Sequence, residues 1–351
     1  MKKKNNVKPK YTNFDPNAMA MPGKIFGLPH NAKDAAIHLI GGPSAISVSG
    51  GKGAEDGPKG LFEASAQIEL FNKSYPDKAW LPGIYMKPID SDLEFNHEQG
   101  RKLFKAMIDL IESENKIRTY KKEIIGLSNR IDSICDSVNS DIRESVDASI
   151  RANKIVGYLG GCHGSVFGAI QAHAIHHKSF TILHLDAHHD LRNAYEGIKN
   201  SHASIMYNVM EQIPEVTKLV SVGIRSYGKD EFDYAKSNYK IKTFYSDDIF
   251  SETYLSTALN RIANECTGDV YISFDIDFLE PYLCPNTGTP VPGGFTMFQA
   301  KKLINMIAEK CKIIGFDLNE VVPNTPVDAL VGAEILYHLC VRTMQSQGLY
   351  K

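Results

Sequence analysis

The chain has 351 residues, with 39 Lys and Arg against 41 Asp and Glu and a formal net charge of −2. That balance gives no electrostatic reason to expect nucleic acid or an anionic membrane as partner. No run approaches the roughly 18 uninterrupted apolar residues of a membrane span, and the length suffices for a large buried core.

In chain order, residues 1–24 read as a polar, basic arm broken by Pro9 and Pro16. The start Met1-Lys2-Lys3-Lys4 lacks the apolar stretch of a signal peptide, so the expected location is the cytoplasm. Residues 25–351 are expected to form a single α/β domain. Ala36 to Ile40 reads as the first strand. A glycine-rich loop, Gly41 to Gly60, then leads into a helix carrying Leu61, Phe62, Ala64, Ser65, Ile68 and Leu70. Asn96 to Asn153 is helical, with Leu103, Phe104, Met107, Ile108 and Ile111 on one stripe and Ile124, Leu127, Ile131, Ile134 and Val138 on another, as expected of packing helices. Six short apolar runs follow: Ile155 to Leu159, Phe180 to Leu185, Lys218 to Ile224, Ile241 to Phe244, Val270 to Phe274 and Lys312 to Phe316. Helical segments separate them, which predicts a three-layer α-β-α architecture around one parallel sheet. The six cysteines, Cys135, Cys162, Cys266, Cys284, Cys311 and Cys340, show no C-x-x-C pair and read as reduced thiols.

Three polar clusters directly follow predicted strands: Gly160-Gly161-Cys162-His163, Asp186-Ala187-His188-His189-Asp190 and Asp275-Ile276-Asp277. In extended chain, Asp186, His188 and Asp190 project to one side, and so do Asp275 and Asp277. Parallel sheets place their ligands at the carboxyl ends of their strands. A single Asp there is ordinarily a turn former; three such clusters together point to a metal centre. Oxygen and nitrogen ligands without a cysteine pair suit manganese or a neighbouring first-row ion better than structural zinc.

These stretches resemble the ureohydrolases, the arginase and agmatinase family, over Gly160 to Ile170, Leu185 to Ser204, Ser273 to Phe295 and Gly315 to Pro323. Asp190-Leu191-Arg192, Tyr195-Glu196-Gly197 and Ser201-His202-Ala203 are similar to the agmatinase-like branch. Ile25-Phe26-Gly27-Leu28-Pro29 and Cys284-Pro285-Asn286-Thr287-Gly288-Thr289 resemble a subgroup that includes nickel-dependent guanidine hydrolases. The resemblance implies two divalent cations, manganese first with nickel or cobalt as alternatives. His163, Asp186, Asp190 and Asp275 would hold one, and Asp186, His188, Asp275 and Asp277 the other, so that Asp186 and Asp275 bridge. It further implies that a hydroxide between the metals attacks a guanidino carbon, that Asp277 takes a proton, that Glu320 pairs with the substrate guanidinium, and that His202 passes a proton to the leaving amine. Asn200 falls beside the expected substrate mouth. A homotrimer or homohexamer acting on a small guanidino compound, agmatine-like, is implied. Free guanidine, a formimino substrate and a metal-binding protein without catalysis remain the alternatives.

The remaining histidines and Arg225 carry less. His189 alternates with the ligand positions and should face away, the direction of His184 is open, and His173, His176 and His177 read as packing or surface groups. Arg225 reads as a pocket wall or a subunit contact. The family's usual Gly-Gly-Asp-His-Ser is replaced here by Gly160-Gly161-Cys162-His163-Gly164, removing groups that would orient the first ligand. Cys162 is expected to be a small buried thiol.

Overall fold

In the computed structural model, which describes residues 11, 13–48, 51–112 and 117–350, the chain is built on eight strands. They are β1 (Ile37–Gly42), β2 (Ile84–Met86), β3 (Ile155–Gly160), β4 (Phe180–Leu185), β5 (Val216–Ile224), β6 (Ile241–Tyr245), β7 (Asp269–Asp275) and β8 (Lys312–Asn319). All pair in parallel, in the order β2-β1-β3-β8-β7-β4-β5-β6. Every residue of β1 and β4 is buried, as in a sheet covered on both faces, where strands read as continuous apolar runs.

Alternation along each strand divides the core in two. Leu183, Val220, Ile272 and Phe274 face one layer, which contains α1 (Gly57–Ala64), α7 (Ser246–Ser251), α8 (Leu255–Glu265), α9 (Met297–Lys310) and α10 (Pro326–Ser346). Ile182, Leu219 and Tyr271 face the other, formed by α2 (Ser91–Glu112), α3 (Ile117–Arg151), α4 (Phe167–His176), α5 (Ile205–Gln212) and α6 (Lys229–Ser237). Leu183 and Ile272 are fully buried, a state that stabilises the fold by about 1.5–3 kcal/mol per side chain. Helix α10 begins at a capping box, Thr325 with Asp328, and has Pro326 in its first turn, where the missing N–H costs nothing. No helix among the described residues is long and apolar enough to cross a membrane.

The structure refines the expected elements. Strand β1 runs two residues past Ile40, and the first helix stops at Ala64, followed by a 3-10 turn over Ser65–Gln67. Ile68 and Leu70 lie beyond it, buried all the same. The helical stretch starts earlier, at Ser91, and consists of two helices packed together. Strand β2 was not expected; three residues are too few to show a period. Of the expected arm, residues 1–10 and 12 lie outside those described. Farther along, Phe14 packs edge-on against Trp80 at 4.7 Å, so this part of the arm lies on the body of the protein.

The strand order positions the chemistry. Strands β3, β8, β7 and β4 are consecutive in the centre of the sheet, although the chain visits them as third, eighth, seventh and fourth. Crossing between them leaves a crevice at their carboxyl ends, the usual ligand position in such sheets.

Candidate metal centre

Each central strand delivers one part of the site. Beyond β3, Gly161 passes so close to the neighbouring loop that a Cβ would lie 2.6 Å from the Ser44 carbonyl oxygen, and this tight passage turns His163 back over the sheet. Beyond β4 the chain does not stay extended. Asp190 adopts a left-handed conformation, φ 54°, and Asp186 Oδ1 accepts the His188 amide at 2.6 Å. Beyond β7, Asp275 accepts the Asp277 amide at 2.9 Å and starts a single 3-10 turn. The expected convergence of these pairs is therefore produced by turns and not by strand alternation. Beyond β8, Glu320 also has a positive φ, 60°. Its amide donates to Gly161 O, and its Oε1 accepts the His163 amide at 2.9 Å. Non-glycine residues in this region are strained, and two of them flank one crevice.

The side chains meet at His163. Its Nδ1 lies 3.1 Å from Asp186 Oδ2, 3.1 Å from Asp190 Oδ2 and 3.5 Å from Asp275 Oδ2. His188 Nδ1 lies 3.0 Å from Asp277 Oδ2 and 3.5 Å from Asp186 Oδ1. Two ligand groups result, His163 with His184, Asp186 and Asp190, and Asp186 with His188 and Asp277. Asp186 belongs to both. His184 is the addition: two residues before Asp186, it shares that residue's face of the sheet, with Nε2 2.9 Å from Asp186 Oδ2.

Charge is concentrated here in a mostly buried crevice. Burial by itself would depress His163, but its hydrogen bonds to Asp186, Asp190 and Asp275 raise it well above the ordinary imidazole value. Burial works against His188 as well, and the charge of Asp277 overturns it, raising the ring to about 12. Asp275 is held well above the carboxylate range by burial, then by Asp277 and Asp186. Asp190 rises to about 6 through burial and the charge of Asp186, and burial lifts Glu320 to about 8 against the opposing His163 amide bond. Buried carboxylates this close call for positive charge among them.

A second layer, not foreseen from the sequence, fixes the ring. His163 Nε2 donates to Ser273 Oγ at 2.8 Å, and that hydroxyl donates to Asp317 Oδ1 at 2.9 Å. Asp317 is fully buried and also accepts from Asn319 Nδ2 at 2.6 Å. This chain leaves Nδ1 to face the carboxylates, the orientation a metal ligand needs. Its sequence signal was faint, a Ser two residues before Asp275 on the same strand face.

Above these groups lies a cavity of about 260 Å³ whose lining includes His163, His188, His202, Asp277, Glu320 and Arg192. His202 reaches it with Nδ1 bonded to Ser47 O at 3.0 Å. Burial lowers this ring to about 4, so it is a neutral imidazole, where the sequence suggested a group titrating near neutral pH. Asn200 does not reach the cavity. Its amide nitrogen donates to Asp132 O and Asp136 Oδ1 on α3, at 3.4 and 3.0 Å. Cys162 faces a separate small void beside Cys135, its thiol pushed up to about 12 by burial and by Glu320. His189 points away as expected, toward Tyr245 and Tyr227. His176 and His177 pair with Asp147 and Asp269 outside the crevice, and His173 is buried against α4's own backbone. Arg225 holds the loop beneath Asp277 through the carbonyls of Asp277, Gly223 and Val291.

Residues 35–341 match the arginase family model. An uncharacterized 32.2 kDa protein of Methanothermus fervidus is 38% identical over 199 residues, 56% of this chain and 67% of that protein. An N(1)-aminopropylagmatine ureohydrolase of Thermus thermophilus is 35% identical over 198 residues, covering 56% of this chain and 65% of the relative, just under two thirds of its length. An agmatinase of Bacillus cereus is 30% identical over 319 residues, 88% of this chain and 94% of the relative. Among solved structures, the proclavaminate amidino hydrolase of Streptomyces clavuligerus superposes with a TM-score of 0.70 at 21% identity, covering 92% of this chain and 97% of that one. The agmatine ureohydrolase of Thermoplasma volcanium gives 0.69 at 20%, covering 93% and 96%. At such identities these two establish the fold. From the match over most of its length, the chain belongs to the arginase family.

Proposed function

We propose that this protein is a cytoplasmic amidinohydrolase that splits a small guanidino compound into urea and an amine, using two divalent cations. The observation that carries the reading is the pair of histidine and carboxylate groups sharing Asp186 beneath a cavity that Glu320 and His202 also line. The donors fit the cations: all are oxygen or imidazole nitrogen, and no thiol reaches them. His163, Asp186, Asp190 and Asp275 would hold one ion, and Asp186, His188, Asp275 and Asp277 the other, manganese first, with nickel or cobalt as alternatives. His184 braces Asp186 from behind. When bound, two such cations supply the Lewis acidity that makes a nucleophile of water near neutral pH.

The chain's own residues do the rest. One oxygen of Glu320 is already engaged by the His163 amide, which leaves the other for an incoming guanidinium. The positive charge of that group would favour the ionised carboxylate that burial disfavours, and charge-assisted hydrogen bonding would orient its carbon. Asp277, fixed by the Ala187 amide at 3.0 Å, takes the proton given up during attack. His202, neutral with its Nδ1 proton committed to Ser47 O, has Nε2 to accept a proton and pass it to the departing amine. Assembly into a homotrimer or homohexamer accompanies this reading and is checked by light scattering.

A urea-release panel tests the function, with manganese, nickel or cobalt and with agmatine, arginine, guanidine, formiminoglutamate and a series of guanidino acids. Metal-dependent urea from at least one guanidino compound is expected. Two bound equivalents of metal with neither urea from any guanidino compound nor formamide from formiminoglutamate would replace the enzyme by a metal-binding protein.

A further inference from the structure

Ser47 holds the His202 ring through its carbonyl oxygen, so whatever fixes that carbonyl also fixes His202. The carbonyl accepts from His202 Nδ1 at 3.0 Å, and the Ser47 hydroxyl accepts the His202 amide at 3.2 Å. A carbonyl only accepts, which puts the ring proton on Nδ1 and leaves Nε2 for the cavity. Ser47 is buried, yet it lies between β1 and α1 outside any helix or strand. Helix α2 supplies the hold that regular structure would give. His97, Gly100 and Arg101 stand at i, i+3 and i+4 on one face of it, and each engages a residue flanking Ser47. His97 Nδ1 accepts the Ala45 amide at 3.1 Å. Gly100 admits the Ile46 side chain, where a Cβ would lie 2.7 Å from Ile46 Cδ1. Glycine inside a helix costs stability, and here close approach requires it. Arg101 Nη1 donates to both carbonyls next to that of Ser47, Val48 O at 2.5 Å and Ile46 O at 3.3 Å. Its guanidinium carbon is steadied 5.2 Å from the centre of the Phe104 ring.

On the amidinohydrolase reading of the reaction, we propose that this face of α2 positions His202 for proton delivery to the leaving amine, with Arg101 the chief positioning residue, acting through the Ser47 carbonyl. Helix α2, which the sequence presents as packing, thereby takes part in the chemistry without touching the substrate.

Steady-state urea release by the metal-loaded protein tests this with Arg101→Met and Gly100→Ala, each alone and combined with His202→Gln. Arg101→Met frees the two carbonyls, and Gly100→Ala displaces Ile46 while favouring the helix. Each should lower kcat about 10–100-fold, as expected of a misplaced proton-transfer group, with KM within about twofold of wild type. In the His202→Gln background neither should lower kcat further, because the residue they act through is gone. A raised KM with kcat unchanged would transfer the role to Val48, which lines the cavity, and multiplying losses in the double variants would show a general weakening of the fold; either overturns the proposal. Hydrogen exchange read by mass spectrometry needs no turnover. Both single variants should speed exchange of the peptide containing His202 about tenfold or more, with β7 protected as in the wild type. Unchanged exchange there would overturn the proposal even in a protein that releases urea. Faster exchange there, in a protein whose wild type releases no urea from any compound, keeps the positioning of His202 and removes the hydrolysis.

Discussion

His163 and Ser273, 110 residues apart in the chain, are joined by a 2.8 Å hydrogen bond from the imidazole Nε2 to the serine hydroxyl. Asp317 anchors that hydroxyl from the adjacent strand. The family pattern would place a carboxylate and a hydroxyl immediately beside His163, where this chain has Cys162 and Gly164. Orientation of the ring here comes from across the sheet.

Ser273→Ala and Asp317→Asn should each weaken cation binding by about 10–100-fold, the usual effect of losing the partner that orients a ligand. Competition with a chromophoric chelator measures it directly, without turnover. Wild-type affinity in both variants would show that His163 is oriented by packing alone.

Asp186 stands in both ligand groups, and Asp275 approaches His163 from the neighbouring strand. Asp186→Ala is expected to lose both cations and all hydrolysis together, and Asp275→Ala to do the same if it bridges as proposed. Metal analysis of the purified variants decides this. Two retained equivalents in either one would remove that residue as a bridge.

Gly164 is held by close approach. A Cβ there would lie 2.9 Å from the His202 nitrogen and 3.1 Å from the Asn200 carbonyl oxygen. Restoring the family residue with Gly164→Ser should destabilise the protein by about 1–3 kcal/mol, as overpacking does, and displace the His202 loop. Chemical denaturation and kcat measured together should both fall. Full stability with unchanged kcat would mean that the loop yields freely.

Acid sensitivity has an identifiable contributor away from the crevice. His338 accepts from the Tyr75 hydroxyl at 2.9 Å and donates to Lys301 O at 3.2 Å, and burial, aided by Lys301 and Arg342, lowers it to about 3. The unfolded chain binds a proton below pH about 6.5 that the folded chain refuses. Its contribution to stability is therefore complete above that pH and declines as pH falls toward 3, by up to about 1.4 kcal/mol per pH unit. Urea midpoints across this window should fall less steeply for His338→Gln than for the wild type, and identical slopes would assign the acid sensitivity elsewhere.

Much of the architecture was legible in the chain because its signals are local. Apolar runs such as Phe180 to Leu185 and Val270 to Phe274 announce buried strands through consecutive residues, and the polar clusters ending them mark where chemistry can sit. His163, Asp186, His188, Asp190, Asp275 and Asp277 could therefore be named together before any contact was known. Other features depend on which strands become neighbours, and no window of sequence encodes that. The order β3-β8-β7-β4 brings Glu320 to the His163 amide across 157 residues and sets Asp317 beside Ser273. Helix α3, packed against the loop that carries His202, draws Asn200 away from the cavity through Asp132 and Asp136. Periodicity reports which face of an element is buried. What covers that face, and which polar groups it meets there, follows from long-range packing, and only the tertiary structure decides it.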